Sequence, residues 1–122
     1  DDRIKAVFAM APAVGQAITE ASLRQIAVPV TILAARDDEL VNPELNATRY
    51  ANHIPGATLE LLPDGGHFVF MQCDFATTIA DWFIKELDLC AGDSAVARQK
   101  VGVDVSRKAI SFFNETLGRF GA

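Results

Sequence analysis

The 122-residue chain has few cysteines, few histidines and no surplus of positive charge, and each shortage excludes something. Two cysteines and two histidines are present, and their positions match none of the usual ligand spacings of a zinc site, so no metal is expected. Lys and Arg total 11 against 16 Asp and Glu, a net charge of −5. The basic residues form no cluster, and phosphate neutralisation by such clusters dominates nucleic-acid binding, so no nucleic-acid partner is expected. No run of about 18 apolar residues occurs, which removes a membrane-spanning helix. No basic stretch precedes a short apolar one in the manner of a secretory leader. Internal repeats and low-complexity tracts are also missing.

What is present is a half-apolar chain of a size that fits one domain at most. That apolar fraction is high for so short a chain, as in a piece of a sheet covered on both faces. The chain opens on Asp1-Asp2 without Met and runs at once into a strand-like segment. The expectation is a part of a larger domain.

The order of elements follows from periodicity and breakers. Ile4–Met10 is a short apolar run stopped by Ala11-Pro12-Ala13 and predicts a buried strand. After a mixed stretch with Gly15 and Thr19 as breakers, Ser22–Ile26 predicts a short helical turn. Val30–Ala35, β-branched at its start and closed by Arg36-Asp37-Asp38-Glu39, is the clearest strand. Pro43–His53 predicts a helix with Asn42 as its cap and Leu45, Tyr50 and Ile54 on its apolar side. Thr58–Leu62 is a third strand, ended by Pro63-Asp64-Gly65-Gly66, with His67 directly after that turn. Phe75–Leu89 predicts a helix with Asp74 as cap and Ile79, Trp82, Phe83 and Leu87 on its packing side. A last helix is predicted from Asp93 or Ser94 to Leu117, on the repeat of Val101, Val105, Ala109, Phe112 and Phe113, with Gly102 as its weak point. Strands alternating with helices call for an α/β fold of parallel strands with helices on the faces.

In an open parallel sheet, ligands and reactive groups gather beyond the carboxyl ends of the strands. Asp38 follows the second strand and His67 the third, so an acid and an imidazole share one rim. An imidazole takes a proton near neutral pH, and a carboxylate on its other nitrogen fixes the tautomer and stabilises the imidazolium. Neighbouring strands lie about 4.8 Å apart, which permits such a pair when the turns curl inward. The plainer alternatives stay open from spacing alone. Asp38 suits a turn cap near Asn42, and His67 suits an ordinary loop in which Gly65 and Gly66 supply positive φ. His53 reads as a favourable charge at a helix end, and Arg36 and Asp37 read as a local surface pair. Phe68, Phe70 and Met71 read as core. Cys73 and Cys90, on either side of the Phe75–Leu89 helix, read as free thiols, or as a bridge if the flanking segments fold back along it.

Several blocks resemble a known family. Val28-Pro29-Val30-Thr31-Ile32-Leu33-Ala34-Ala35-Arg36-Asp37-Asp38-Glu39-Leu40-Val41-Asn42-Pro43 resembles the seventh strand and acid turn of the α/β-hydrolases, with Ala35 where a Gly is usual. Leu62-Pro63-Asp64-Gly65-Gly66-His67-Phe68 resembles the histidine turn after the eighth strand, and Ala11-Pro12 resembles the end of the sixth. Phe70-Met71-Gln72-Cys73 and Leu87-Asp88-Leu89-Cys90, followed by a helix ending in Phe112-Phe113, are similar to the two-cysteine ending of the bacterial predicted dienelactone hydrolase group. The resemblance covers nearly the whole chain. It implies a partial α/β-hydrolase fold in which residues 1–122 are the carboxyl-terminal part of one domain, with three parallel strands, flanking helices and a long last helix.

The resemblance also implies a chemistry: hydrolysis of a small ester, with Asp38 and His67 as acid and base of a triad and no cofactor. The family's nucleophile sits in a Gly-x-Ser-x-Gly elbow, with Cys for Ser in some members. No Ser or Cys of this chain has that flanking, so the nucleophile-bearing part is expected to lie outside it. The two-cysteine ending implies a Cys73–Cys90 disulfide and, with it, a periplasmic or exported location. A different class of reading is a non-catalytic half-domain that binds its other half, or self-associates through the edge of the first strand, because that edge lacks its neighbour.

Overall fold

The computed structural model describes residues 2–73, 90 and 92–118. The predicted Phe75–Leu89 helix, with its Asp74 cap and Trp82, lies outside the described residues. Within them, three parallel strands, β1 (Val7–Met10), β2 (Val30–Ala35) and β3 (Thr58–Leu62), form one sheet in the order β1-β2-β3. Val7 pairs with Val30 at one end, and Ala35 with Leu62 at the other. β2 is central, and five of its six residues are buried, which is why it reads as an unbroken apolar run.

The register sorts the side chains onto two faces. Val7, Ala9, Val30, Ile32, Ala34, Leu59 and Leu61 share one core with Leu23 of the short helix α1 (Glu20–Leu23) and with Tyr50 and Ile54. Tyr50 belongs to helix α2 (Arg49–His53), which continues from a wider π-helical turn, Glu44–Thr48. Asn42 caps that turn as expected, its Oδ1 accepting from the backbone N–H groups of Glu44 and Leu45. The opposite face of the sheet carries Phe8 and is covered by the long helix α3 (Ala95–Leu117), whose Phe112 and Phe113 rings lie 5.9 and 6.3 Å from that of Phe8.

Three expectations are corrected. The first strand begins at Val7 rather than Ile4, which is exposed; the last backbone bond there runs from Val7 N–H to the carbonyl of Pro29, and proline has no N–H to extend the ladder. Leu45, expected on the apolar side of the second helix, is also exposed, because the π-helical turn shifts the 3.6-residue phase before Tyr50. The short helix ahead of β2 starts at Glu20, not Ser22, with the Thr19 hydroxyl accepting from Ser22 N–H as its cap. Gly102, the expected weak point of the last helix, is a place of close approach: a Cβ there would lie 2.7 Å from Nε2 of Gln72.

Candidate active site

All three rim positions lie beyond the carboxyl ends of the strands, and they differ in what they can do. The segment after β1 carries no titratable side chain. It is fixed as scaffold: Ala11 N–H donates to the Leu33 carbonyl, and the buried Tyr50 hydroxyl donates to that of Ala13 at 2.6 Å. Burial raises the Tyr50 phenol above its ordinary value, partly offset by the nearby Arg49 charge.

The turn after β2 separates two adjacent acids. Asp37 is exposed, whereas the Asp38 side chain is 1% exposed and points inward. One Asp38 oxygen, Oδ1, accepts from the backbone N–H groups of Leu40 and Val41 at 3.0 and 2.7 Å. Its other oxygen, Oδ2, lies 2.7 Å from Nδ1 of His67. The capping role and the pairing role are thus both present, divided between the two oxygens. Arg36 and Asp37 are exposed, and no ion pair joins them among the described residues.

The turn after β3 brings His67 to Asp38 because the ends of β2 and β3 are bonded together, Arg36 N–H donating to the Leu62 carbonyl. Gly65 has φ +97°, and a Cβ there would lie 2.5 Å from the buried Val69 side chain, so this position admits glycine alone. Gly66, by contrast, has an ordinary φ of −94°. The chain then winds into a 3-10 turn, His67–Phe70, with the Phe68 ring edge-on to the imidazole. Val69 is fully buried beneath it, while Phe68, Phe70 and Met71 are half-buried.

A carboxylate has only acceptors, so the hydrogen bond to Asp38 requires the proton on Nδ1 of a neutral imidazole. The Nε2 lone pair is then free to take a proton, on a ring that is 20% exposed. Among the described residues Nε2 has no hydrogen-bond partner. His53, at the end of α2, is instead 3.5 Å from Glu20 and lies apart from this rim.

Sequence reasoning missed the residues that hold the histidine turn from behind. Asp93 Oδ2 accepts from Gly66 N–H at 3.3 Å, and Arg98 of α3, 1% exposed, donates from its guanidinium to the carbonyls of Phe68 and Met71. The available signal was an arginine on the same helical stripe as Val101, Val105 and Ala109. Cys73 and Cys90 are joined by a disulfide, with Cα atoms 5.9 Å apart, tying the end of this turn to the start of the segment that leads into α3. Among the described helices none is long and apolar enough to cross a membrane.

Comparison with known proteins bears on the fold. A family model described as the alpha/beta hydrolase fold matches residues 2–73 of the 122, the stretch that carries all three strands, Asp38 and His67. No curated protein matches the chain.

Proposed function

The chain belongs to the alpha/beta hydrolase family, and on that premise we propose that it supplies the acid and the base of a serine-type hydrolase of carboxylic esters, in the manner of the dienelactone hydrolases. The observation that carries the reading is the 2.7 Å bond between His67 Nδ1 and the buried Asp38 carboxylate. In this reading His67 Nε2 takes the proton of a nucleophilic hydroxyl as its oxygen attacks the ester carbonyl. The same nitrogen gives that proton to the departing alcohol, and the step repeats in the second half-reaction with water as nucleophile. Asp38 holds the ring and stabilises the imidazolium.

The nucleophile and the oxyanion donors come from a segment outside these 122 residues, since no Ser or Cys here has the flanking of an elbow. The Cys73–Cys90 bridge favours an oxidising compartment, the periplasm or the exterior. The test is to treat the full-length gene product with a fluorophosphonate probe, with and without His67→Ala, and to map labelling by mass spectrometry. Labelling of a serine outside this chain that fades in the variant, with turnover of an aryl ester lowered by about six orders of magnitude, is the expected result. A loss of turnover under tenfold removes His67 from the mechanism.

A second reading is favoured by one feature. The outer edge of β1 has no partner strand among the described residues, and Met10 on it is 48% exposed. Such an edge suits pairing with another strand, from the rest of the domain or from a second copy. A strictly monomeric 122-residue chain at high concentration, by light scattering, eliminates self-association.

A further inference from the structure

We propose that Arg98 is a positioning residue for His67: its buried guanidinium, paired with Asp93, fixes the Gly66–Met71 turn and thereby seats Nδ1 on Asp38. The inference rests on the hydrolase reading for its kinetic consequence, but the geometry behind it stands apart. The 3-10 turn closes with Met71 N–H donating to the Phe68 carbonyl, and Arg98 adds donors at that carbonyl and at the Met71 carbonyl just past the end of the turn. It donates to the carbonyls of Phe68 and Met71, the latter at 3.2 Å, and its Nε donates to the carbonyl of Asp93 at 3.3 Å. Asp93 in turn holds the entry to the turn through Gly66 N–H, and its carboxylate lies 3.9 Å from the Arg98 guanidinium. In the other direction Gln72 donates to the Arg98 carbonyl at 3.1 Å. The residue before the histidine is therefore held by Asp93, just ahead of α3, and the residues after it by Arg98 in the first turn of α3.

The side chain is costly for mere filling. Removing a guanidinium from water is unfavourable, and an apolar side chain of similar volume packs such a site at less cost. What a planar fork with five donors offers instead is simultaneous, directional contact with several carbonyls. Fixing those carbonyls fixes the backbone from which the imidazole projects. A displacement of about 1 Å at a proton-transfer site costs up to about a hundredfold in rate.

The experiment uses the full-length protein with Arg98→Met, which keeps the apolar stem and removes the fork, and with Asp93→Asn, which keeps an acceptor for Gly66 and removes the ion pair. Turnover and KM of an aryl ester are measured beside thermal unfolding and the downfield proton resonance of the Nδ1–H bonded to Asp38. Arg98→Met is expected to lower kcat by about ten- to a hundredfold with KM unchanged, because Arg98 touches no substrate, and to shift or broaden the resonance. Asp93→Asn is expected to do both to a smaller degree. A folded Arg98→Met with parental kcat and an unmoved resonance overturns the proposal, as does a lower melting temperature with kcat per folded molecule intact. If Arg98→Met does not fold, Asp93→Asn decides by the same two readouts. Should His67→Ala leave turnover within tenfold, the hydrolase reading fails, and the resonance alone then judges whether Arg98 seats the ring.

Discussion

The two turns that meet at the Asp38–His67 bond are built in opposite ways. The acid turn is held by its own neighbours: Asp38 caps Leu40 and Val41, and Asn42 caps Glu44 and Leu45, all within three residues. The histidine turn is held from far along the chain, by Asp93, 27 residues beyond Gly66, and by Arg98, 30 beyond Phe68. A side chain that bonds to its own turn fixes conformation before any tertiary contact exists. One that reaches across the fold does so only once helix and sheet have docked, so the position of His67 depends on packing that the position of Asp38 does not need.

Substitutions can break this contrast on either side. The largest structural effect is expected from Gly65→Ala, since φ +97° and the contact with Val69 both oppose a Cβ. A loss of at least about 2 kcal/mol follows from backbone strain and overpacking together, read from the urea midpoint by circular dichroism, and a loss below about 0.5 kcal/mol would show that the turn relaxes freely. On the acid side, Asn42→Ala removes a cap and is expected to cost about 1 kcal/mol. It should leave the Nδ1–H resonance of His67 in place, because the cap lies downstream of Asp38; a lost resonance would mean that the acid turn is not self-contained.

The smallest effect concerns how α3 is seated. Lys108 is held above its ordinary value of 10.5 by hydrogen bonds to Asp104 and Glu60, the second of which ties α3 to β3. A raised lysine adds stability that is complete below its unfolded value and is lost as pH rises through the folded one. Stability should therefore fall above about pH 10.5, by a small amount because the side chain, 31% exposed, remains in contact with solvent and is screened by salt. Equal urea midpoints for the parent and Lys108→Met across that range would remove the tie.

The same contrast explains what the sequence makes legible. β2 is readable because burial on both faces imposes an unbroken apolar run, and the Asn42 cap and the Pro63–Gly66 turn are readable because their causes lie within a few residues. The family resemblance singles out Asp38 rather than Asp37, a choice that spacing alone does not make; Asp38 is buried and Asp37 exposed. The exposure of Ile4 and Leu45 is not legible because it depends on the donor missing at Pro29 and on a π-helical turn that no local propensity marks. Asp93 is legible only as an alternative start of the last helix, and Arg98 not at all. A charged residue on a helix stripe looks like solvent-facing surface until the carbonyls it meets are brought beneath it by the folded chain.

The Cys73–Cys90 bridge has a consequence for distance along the chain. It joins positions 17 apart in sequence, with Cα atoms 5.9 Å apart. Counted through the bridge, Met71 lies two residues before Cys73 and Asp93 three after Cys90, so partners remote in sequence become near neighbours. The cross-link persists in the unfolded chain and removes the closure entropy of that loop, worth about 3 kcal/mol on the chain-entropy account. The search by which Asp93 and Arg98 find the histidine turn is thereby shortened before any helix docks.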